Sequence, residues 1–161
     1  ESLLELSPEA IDIKLYLECR HLLCDPSIGT DQKASRLCEM YQTHRTPAYL
    51  IFEWLFAHRP ALAWKHFDQS LSHRFSDILW RLREENLDLD IIAHNTYLRE
   101  LFTAKGAVAL ASGSSVFELE TLIALRRCGE QKVTLQFEYT CTKCKQVSFL
   151  PFHRCSHCHA M

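Results

Sequence analysis

Glycine and proline are scarce in this chain, four and five residues among 161. A turn-rich β-sandwich or barrel needs many more breaks than that, so the composition points to helices. A basic excess is also missing. Eighteen lysines and arginines face 20 carboxylates, for a net charge of −2, which leaves no broad cationic surface to neutralise a phosphate backbone. No apolar run reaches the length of a bilayer span, and no signal peptide is visible. His21, His44, His58, His66, His73 and His94 show none of the His-x-x-x-His or Glu-linked spacings of a catalytic metal site. Paired carboxylates, a nucleophile–base arrangement and a phosphate-cradling glycine loop are absent in any believable context, so the expectation is a protein without catalytic turnover. The chain opens on Glu1 rather than methionine, which suggests a trimmed polypeptide with an anchor or further domain upstream.

What is present is helical periodicity over residues 7–127. Ser7-Pro8-Glu9 is a helix start: a hydroxyl cap, a proline whose missing N–H costs nothing, and an acid in the first turn. Ile11, Leu15, Cys19 and Leu22 then recur at helical spacing. Asp25-Pro26 with Gly29 closes that helix, and Asp31 is placed to cap the next, with Ala34, Leu37, Cys38 and Tyr41 on one side. Thr46-Pro47 precedes a run, Tyr49 to Phe56, that is apolar nearly all round and so reads as a buried helix. Arg59-Pro60 breaks it. Ala63, Phe67 and Leu71 mark another helix, Phe75, Ile78, Leu79 and Leu82 continue the pattern, and Asp88 or Asp90 caps one with Ile91, Tyr97, Leu98, Leu101 and Phe102. Ser115-Val116-Phe117-Glu118 reads as a capping box for Leu119, Leu122 and Ile123, ended by Cys128-Gly129. The period then switches to two. Val133, Leu135, Phe137 and Tyr139 alternate with polar residues, a strand signal. The fold class expected is mainly α: a tetratricopeptide-like array of helical hairpins over residues 1–130, then a small ribbon over 131–161. Tyr49, Phe52, Trp54, Phe56, Trp64, Phe67 and Trp80 suit a core better than a groove.

The ribbon carries the sharpest signal. Cys141-Thr142-Lys143-Cys144 is followed, ten residues on, by Cys155-Ser156-His157-Cys158. Each Cys-x-x-Cys lets one tight turn aim two sulfurs at a single point, and two such knuckles make a tetrahedral thiolate site for zinc or iron. Paired disulfides are the competing reading. A segment of about 25 residues buries too little apolar surface to fold alone, and zinc binding contributes on the order of 10–16 kcal/mol in small peptides. Four thiolates leave no open position, so the site reads as structural with zinc, or as a one-electron rubredoxin-like centre with iron. Rubredoxin knuckles place glycine after the second cysteine, where φ is positive. Lys145 and His159 stand there instead, at some conformational cost. His153, His157 and His159 read as surface rather than as ligands. Cys19, Cys24, Cys38 and Cys128 read as small apolar residues, and unpaired cysteines in this number point to a reducing compartment.

Helices leading into Tyr139-Thr140-Cys141, then Cys-x-x-Cys, ten residues with Phe149 and Phe152, and Cys-x-x-Cys, resemble the LapB (lipopolysaccharide assembly protein B) family. The match is sharp over about 20 residues and architectural elsewhere. The resemblance implies tetratricopeptide repeats with a rubredoxin-like module bound through Cys141, Cys144, Cys155 and Cys158. It also implies an N-terminal anchor and a place at the cytosolic face of the bacterial inner membrane. The implied role is that of an adaptor linking lipopolysaccharide synthesis to degradation of its deacetylase by the membrane protease FtsH. Two other classes compete. A nucleic-acid-binding zinc ribbon would use Lys132, Lys143, Lys145 and Arg154 with Phe149 and Phe152, and an iron redox protein would use the same four sulfurs.

Overall fold

The computed structural model describes residues 7–160, and the protein is mainly helical over them. Eight α-helices occur among the described residues: α1 (Pro8–Cys24), α2 (Thr30–Thr43), α3 (Ala48–His58), α4 (Pro60–His66), α5 (Ser76–Trp80), α6 (Leu89–His94), α7 (Thr96–Lys105) and α8 (Phe117–Arg127). A two-stranded antiparallel hairpin follows, β1 (Tyr139–Thr140) and β2 (Val147–Ser148), with Tyr139 opposite Ser148 and Thr140 opposite Val147. Helix length runs from 17 residues in α1 to 5 in α5, so no regular hairpin repeat is evident. The chain divides into two compact units. One is residues 52–135, and the other joins the described parts of 1–51 and 136–161. The ribbon therefore shares its unit with α1, α2 and the start of α3.

In that split unit α1 starts as its sequence dictates. Pro8 occupies the first turn, and the Ser7 hydroxyl accepts a hydrogen bond from the Ala10 amide at 3.3 Å. Asp25 ends the helix and accepts from both the amide and the hydroxyl of Ser27, an Asx turn that competes with further helix. Leu15, Cys19 and Leu22 are buried, but Ile11, expected on the same face, is 42% exposed. The cap of α2 is Gly29 rather than Asp31, which lies in the first turn instead, where a carboxylate favours the helix dipole. Ala34, Leu37, Cys38 and Tyr41 are buried, and α2 packs against α1.

The continuous unit is built on aromatic edges. Phe52 meets Phe67 at 5.3 Å and Phe75 at 5.8 Å, while Phe56 meets Trp64 at 5.0 Å, all edge to face, the geometry that ring quadrupoles favour. Around α7, Leu98, Leu101, Phe102 and Ala104 are fully buried against α5, α6 and α8. Of the aromatic residues weighed as groove or core, Phe52, Phe56, Trp64 and Phe67 are buried and Tyr49, Trp54 and Trp80 half-buried.

Several expected helices are cut by short polar side chains that bind backbone amides. Asp68 accepts from the Ser70 amide at 3.1 Å, and a 3-10 segment (Gln69–Phe75) replaces the helix expected through Leu71. Asn95 accepts from the Leu98 amide at 3.0 Å and caps α7, so the helix expected over Ile91–Phe102 becomes α6 and α7. The capping box at Ser115 does not form. The residue before α8 is Val116, and Ser114 binds the Val116 amide and the Glu100 carboxylate instead. Gly106 ends α7 at φ +88°, a conformation glycine adopts without strain.

The strand expected over Val133–Tyr139 pairs only at Tyr139. Its alternation survives in exposure, with Leu135, Phe137 and Tyr139 half-buried and Gln136 and Glu138 exposed. The start of the segment is held by side chains of neighbouring helices instead. The Arg126 guanidinium donates to the Val133 carbonyl at 2.7 Å, and the Trp80 indole N–H donates to the Thr134 hydroxyl at 3.1 Å.

Two substitutions separate core from surface. Phe52→Ala removes a ring that is 1% exposed, and it should lower the unfolding free energy by about 3–5 kcal/mol in a denaturant titration. Phe117→Ala, at a ring 79% exposed, should change it by less than about 0.5 kcal/mol.

Candidate metal centre

Two turns of the same design build the site. In the first, the Cys141 amide donates to the Gln146 carbonyl at 2.9 Å and the Lys145 amide to the Cys141 carbonyl at 3.0 Å. In the second, the Cys155 amide donates to the Ala160 carbonyl at 2.8 Å and the His159 amide to the Cys155 carbonyl at 2.9 Å. Closing each turn requires a left-handed residue after the second cysteine. Lys145 has φ +63° and His159 φ +58°, and these are the non-glycine residues with positive φ among those described. The glycine-free knuckles thus adopt the glycine conformation, with the backbone crowding that a Cβ brings there.

The turns bring four sulfurs together. Cys141, Cys144, Cys155 and Cys158 place their Sγ atoms within 4.8 Å of one another, and they are the one such group of three or more potential ligands among the described residues. The sulfurs of Cys141 and Cys158 are 3.7 Å apart, and those of Cys144 and Cys155 are 3.6 Å apart. A disulfide would need about 2.05 Å, and all eight cysteines are free. A tetrahedron with metal–sulfur bonds of about 2.3 Å has edges of about 3.8 Å. Donor number, chemistry and spacing therefore fit a closed four-thiolate site suited to hold one metal ion.

Backbone amides prepare the sulfurs for that task. The amides of Cys144 and Lys143 hold the Cys141 thiol down to about 6. The Cys158 amide lowers the Cys155 thiol, as does the His157 amide, which approaches its sulfur at 3.4 Å. The Gln146 amide favours the Cys144 thiolate too, but burial and the three neighbouring sulfurs outweigh it and push that thiol up to about 12. Thiolates are thus favoured at Cys141 and Cys155 and resisted at Cys144 between them. A cation at the centre removes the conflict.

The histidines are placed differently from one another. His157 and His159 are exposed. His153 is half-buried, its ring 5.2 Å from that of Tyr16 on α1 and 5.8 Å from that of Tyr49 at the start of α3. Nearby, the Lys143 ammonium lies 4.0 Å from the Glu9 carboxylate, a pair too exposed to contribute much. The ribbon is thus seated on the first helices through His153, a contact between residues more than a hundred positions apart that no local spacing reveals. Outside the ribbon, burial pushes Cys19 up to about 11 and raises Cys38 as well, which leaves both as unreactive apolar side chains.

No family model, curated protein or solved structure matches the chain.

Four outcomes check the centre. Protein purified without chelator should carry one metal ion per chain by elemental analysis. Acidification should release it, since every proton taken up by a thiolate removes a ligand. Chelation, or Cys155→Ser, should speed amide exchange in residues 139–160 and in α1, while residues 52–135 keep their protection. Lys145→Gly and His159→Gly should each stabilise the loaded ribbon by about 1 kcal/mol or less, because relief of left-handed crowding is partly offset by glycine's added chain entropy. Thermal unfolding of the metal-loaded protein measures that gain.

Proposed function

We propose that the protein is a non-enzymatic adaptor that acts by binding other proteins, with zinc held by Cys141, Cys144, Cys155 and Cys158 as a structural cross-link. The observation that carries this reading is the closed four-sulfur geometry inside a unit that also contains two long helices. A metal with four thiolates has no vacant position for water or substrate. When bound, zinc supplies positive charge and fixed angles, and the chain supplies everything else. The two knuckles orient the sulfurs, their amides favour thiolate over thiol, and His153 fixes the ribbon against Tyr16 and Tyr49. The product is a rigid surface made from distant parts of the chain. Iron is accepted by the same donors and would make a one-electron centre.

The resemblance of the ribbon to LapB supplies the biological setting of this proposal. The helices would be a tetratricopeptide-like scaffold for an FtsH-type protease and the lipopolysaccharide deacetylase, at the cytosolic face of the inner membrane. Among the described residues no helix is long and apolar enough to cross a membrane, so attachment there would rest on a segment or contact outside these helices. Deleting residues 140–161 in the native organism tests the reading. Slower turnover of the deacetylase and altered lipopolysaccharide levels are expected. Unchanged levels of both would remove the family-based role, and a red, iron-loaded protein from native cells would replace the structural cross-link with a redox centre.

A further inference from the structure

Past the sulfur centre the ribbon turns apolar side chains to solvent. Phe149 and Leu150 are 62% and 76% exposed, and Val147 is 42% exposed. The segment that carries them is braced. Its leading end is β2, paired with β1, and its trailing end is His153, held by Tyr16 and Tyr49. Between these the Ser148 hydroxyl accepts from the Leu150 amide at 3.0 Å and donates to the Leu150 carbonyl at 2.9 Å. A loop fixed in this way cannot fold its apolar tip back under the module.

The side-chain charges of the ribbon's own sequence are of one sign. Residues 139–161 contain Lys143, Lys145 and Arg154 and no aspartate or glutamate, so all 20 acidic residues of the chain lie upstream. Lys143 is partly matched by Glu9. Lys145 and Arg154 are exposed and bracket the apolar tip in sequence. Lys145 bonds the Thr142 carbonyl and Arg154 the His159 carbonyl, contacts to neutral groups that leave both charges uncompensated.

We propose that this loop docks on an anionic lipid bilayer, with Phe149 and Leu150 entering the boundary between headgroups and acyl chains and Lys145 and Arg154 facing the headgroups. Braced apolar side chains between cations match a surface that is anionic outside and hydrocarbon beneath. A single-stranded nucleic acid fits less well. It rewards rings on which bases stack, and two of the three exposed apolar side chains, Val147 and Leu150, have none. The proposal does not rest on the adaptor reading, and a vesicle assay on purified protein reads the loop directly.

The test is co-sedimentation of the whole metal-loaded chain with phosphatidylcholine vesicles, with and without phosphatidylglycerol. Binding is expected only to the anionic vesicles and should weaken with added salt. Phe149→Ser with Leu150→Ser should reduce it by about tenfold or more, since both side chains leave water on docking. Lys145→Gln with Arg154→Gln should reduce it several-fold. Metal content and thermal unfolding must match the parent in both variants, and Lys145→Gln alone serves if the Arg154 change loosens the second knuckle. The proposal is overturned by equal binding of the serine variant, by equal binding to neutral vesicles, or by no vesicle binding. Capture of a single-stranded RNA oligonucleotide in place of vesicles would overturn it in favour of nucleic acid. None of these outcomes bears on the deacetylase experiment.

Discussion

Four sulfurs within 4.8 Å of one another are a repulsive arrangement once they ionise, and the ribbon is built around that repulsion. Amides aimed at Cys141 and Cys155 lower their thiols, while proximity raises Cys144. A cation among the four would satisfy every donor at once, and the ribbon has little else to hold it together. The hairpin is two residues per strand, far too short to hold a register by itself. The left-handed backbone at Lys145 and His159 is a cost that local propensity does not repay.

The same centre determines what the helices of its unit can do. His153 lies three residues beyond Leu150 and two before Cys155, so any disorder at the second knuckle reaches the ring that Tyr16 and Tyr49 hold. An adaptor needs a surface that does not change shape when it meets a partner, because ordering a loose surface on binding costs affinity. On the adaptor reading proposed above, a metal bound by the four cysteines would provide such a surface by cross-linking a short ribbon onto two helices. The continuous unit has its own aromatic core of Phe52, Phe56, Trp64, Phe67 and Phe75.

What could be read in the amino-acid order is what rests on short-range chemistry. Ser7-Pro8, Asp25 and Asp88 are helix ends in the structure as their side chains demand, and the two Cys-x-x-Cys turns bring their sulfurs together. Even the positive φ of Lys145 and His159 is the one that their likeness to rubredoxin knuckles implies. The departures share one cause, competition for the same amides. Asn95 can sit inside a helix or cap one, and only the packing of α7 against α5, α6 and α8 decides. Ser115 has the spacing of a cap, but Val116 precedes α8 without a side-chain cap, and the neighbouring Ser114 hydroxyl donates instead to the Glu100 carboxylate, 14 positions away. Val133–Tyr139 has the alternation of a strand, but it joins the hairpin only at Tyr139. The seating of His153 on Tyr16 and Tyr49 was invisible for the opposite reason, since it depends on a meeting of distant segments.

That meeting has a consequence for the order of assembly. Chains emerge from the ribosome from the N-terminus, and domains made of consecutive residues fold as they appear. Residues 52–135 meet that condition. Helix α1 does not, because the ribbon that it meets through Tyr16 is synthesised only after the whole intervening unit. Until then Tyr16 and Tyr49 lack the ring they hold in the finished protein, and a large loop must close before contact is made, which slows folding more than it weakens the final state. Capture of a metal ion by the two knuckles would then act as a late checkpoint: a chain whose synthesis stops short of Cys155 would keep its middle unit and lack the ribbon that its first helix meets.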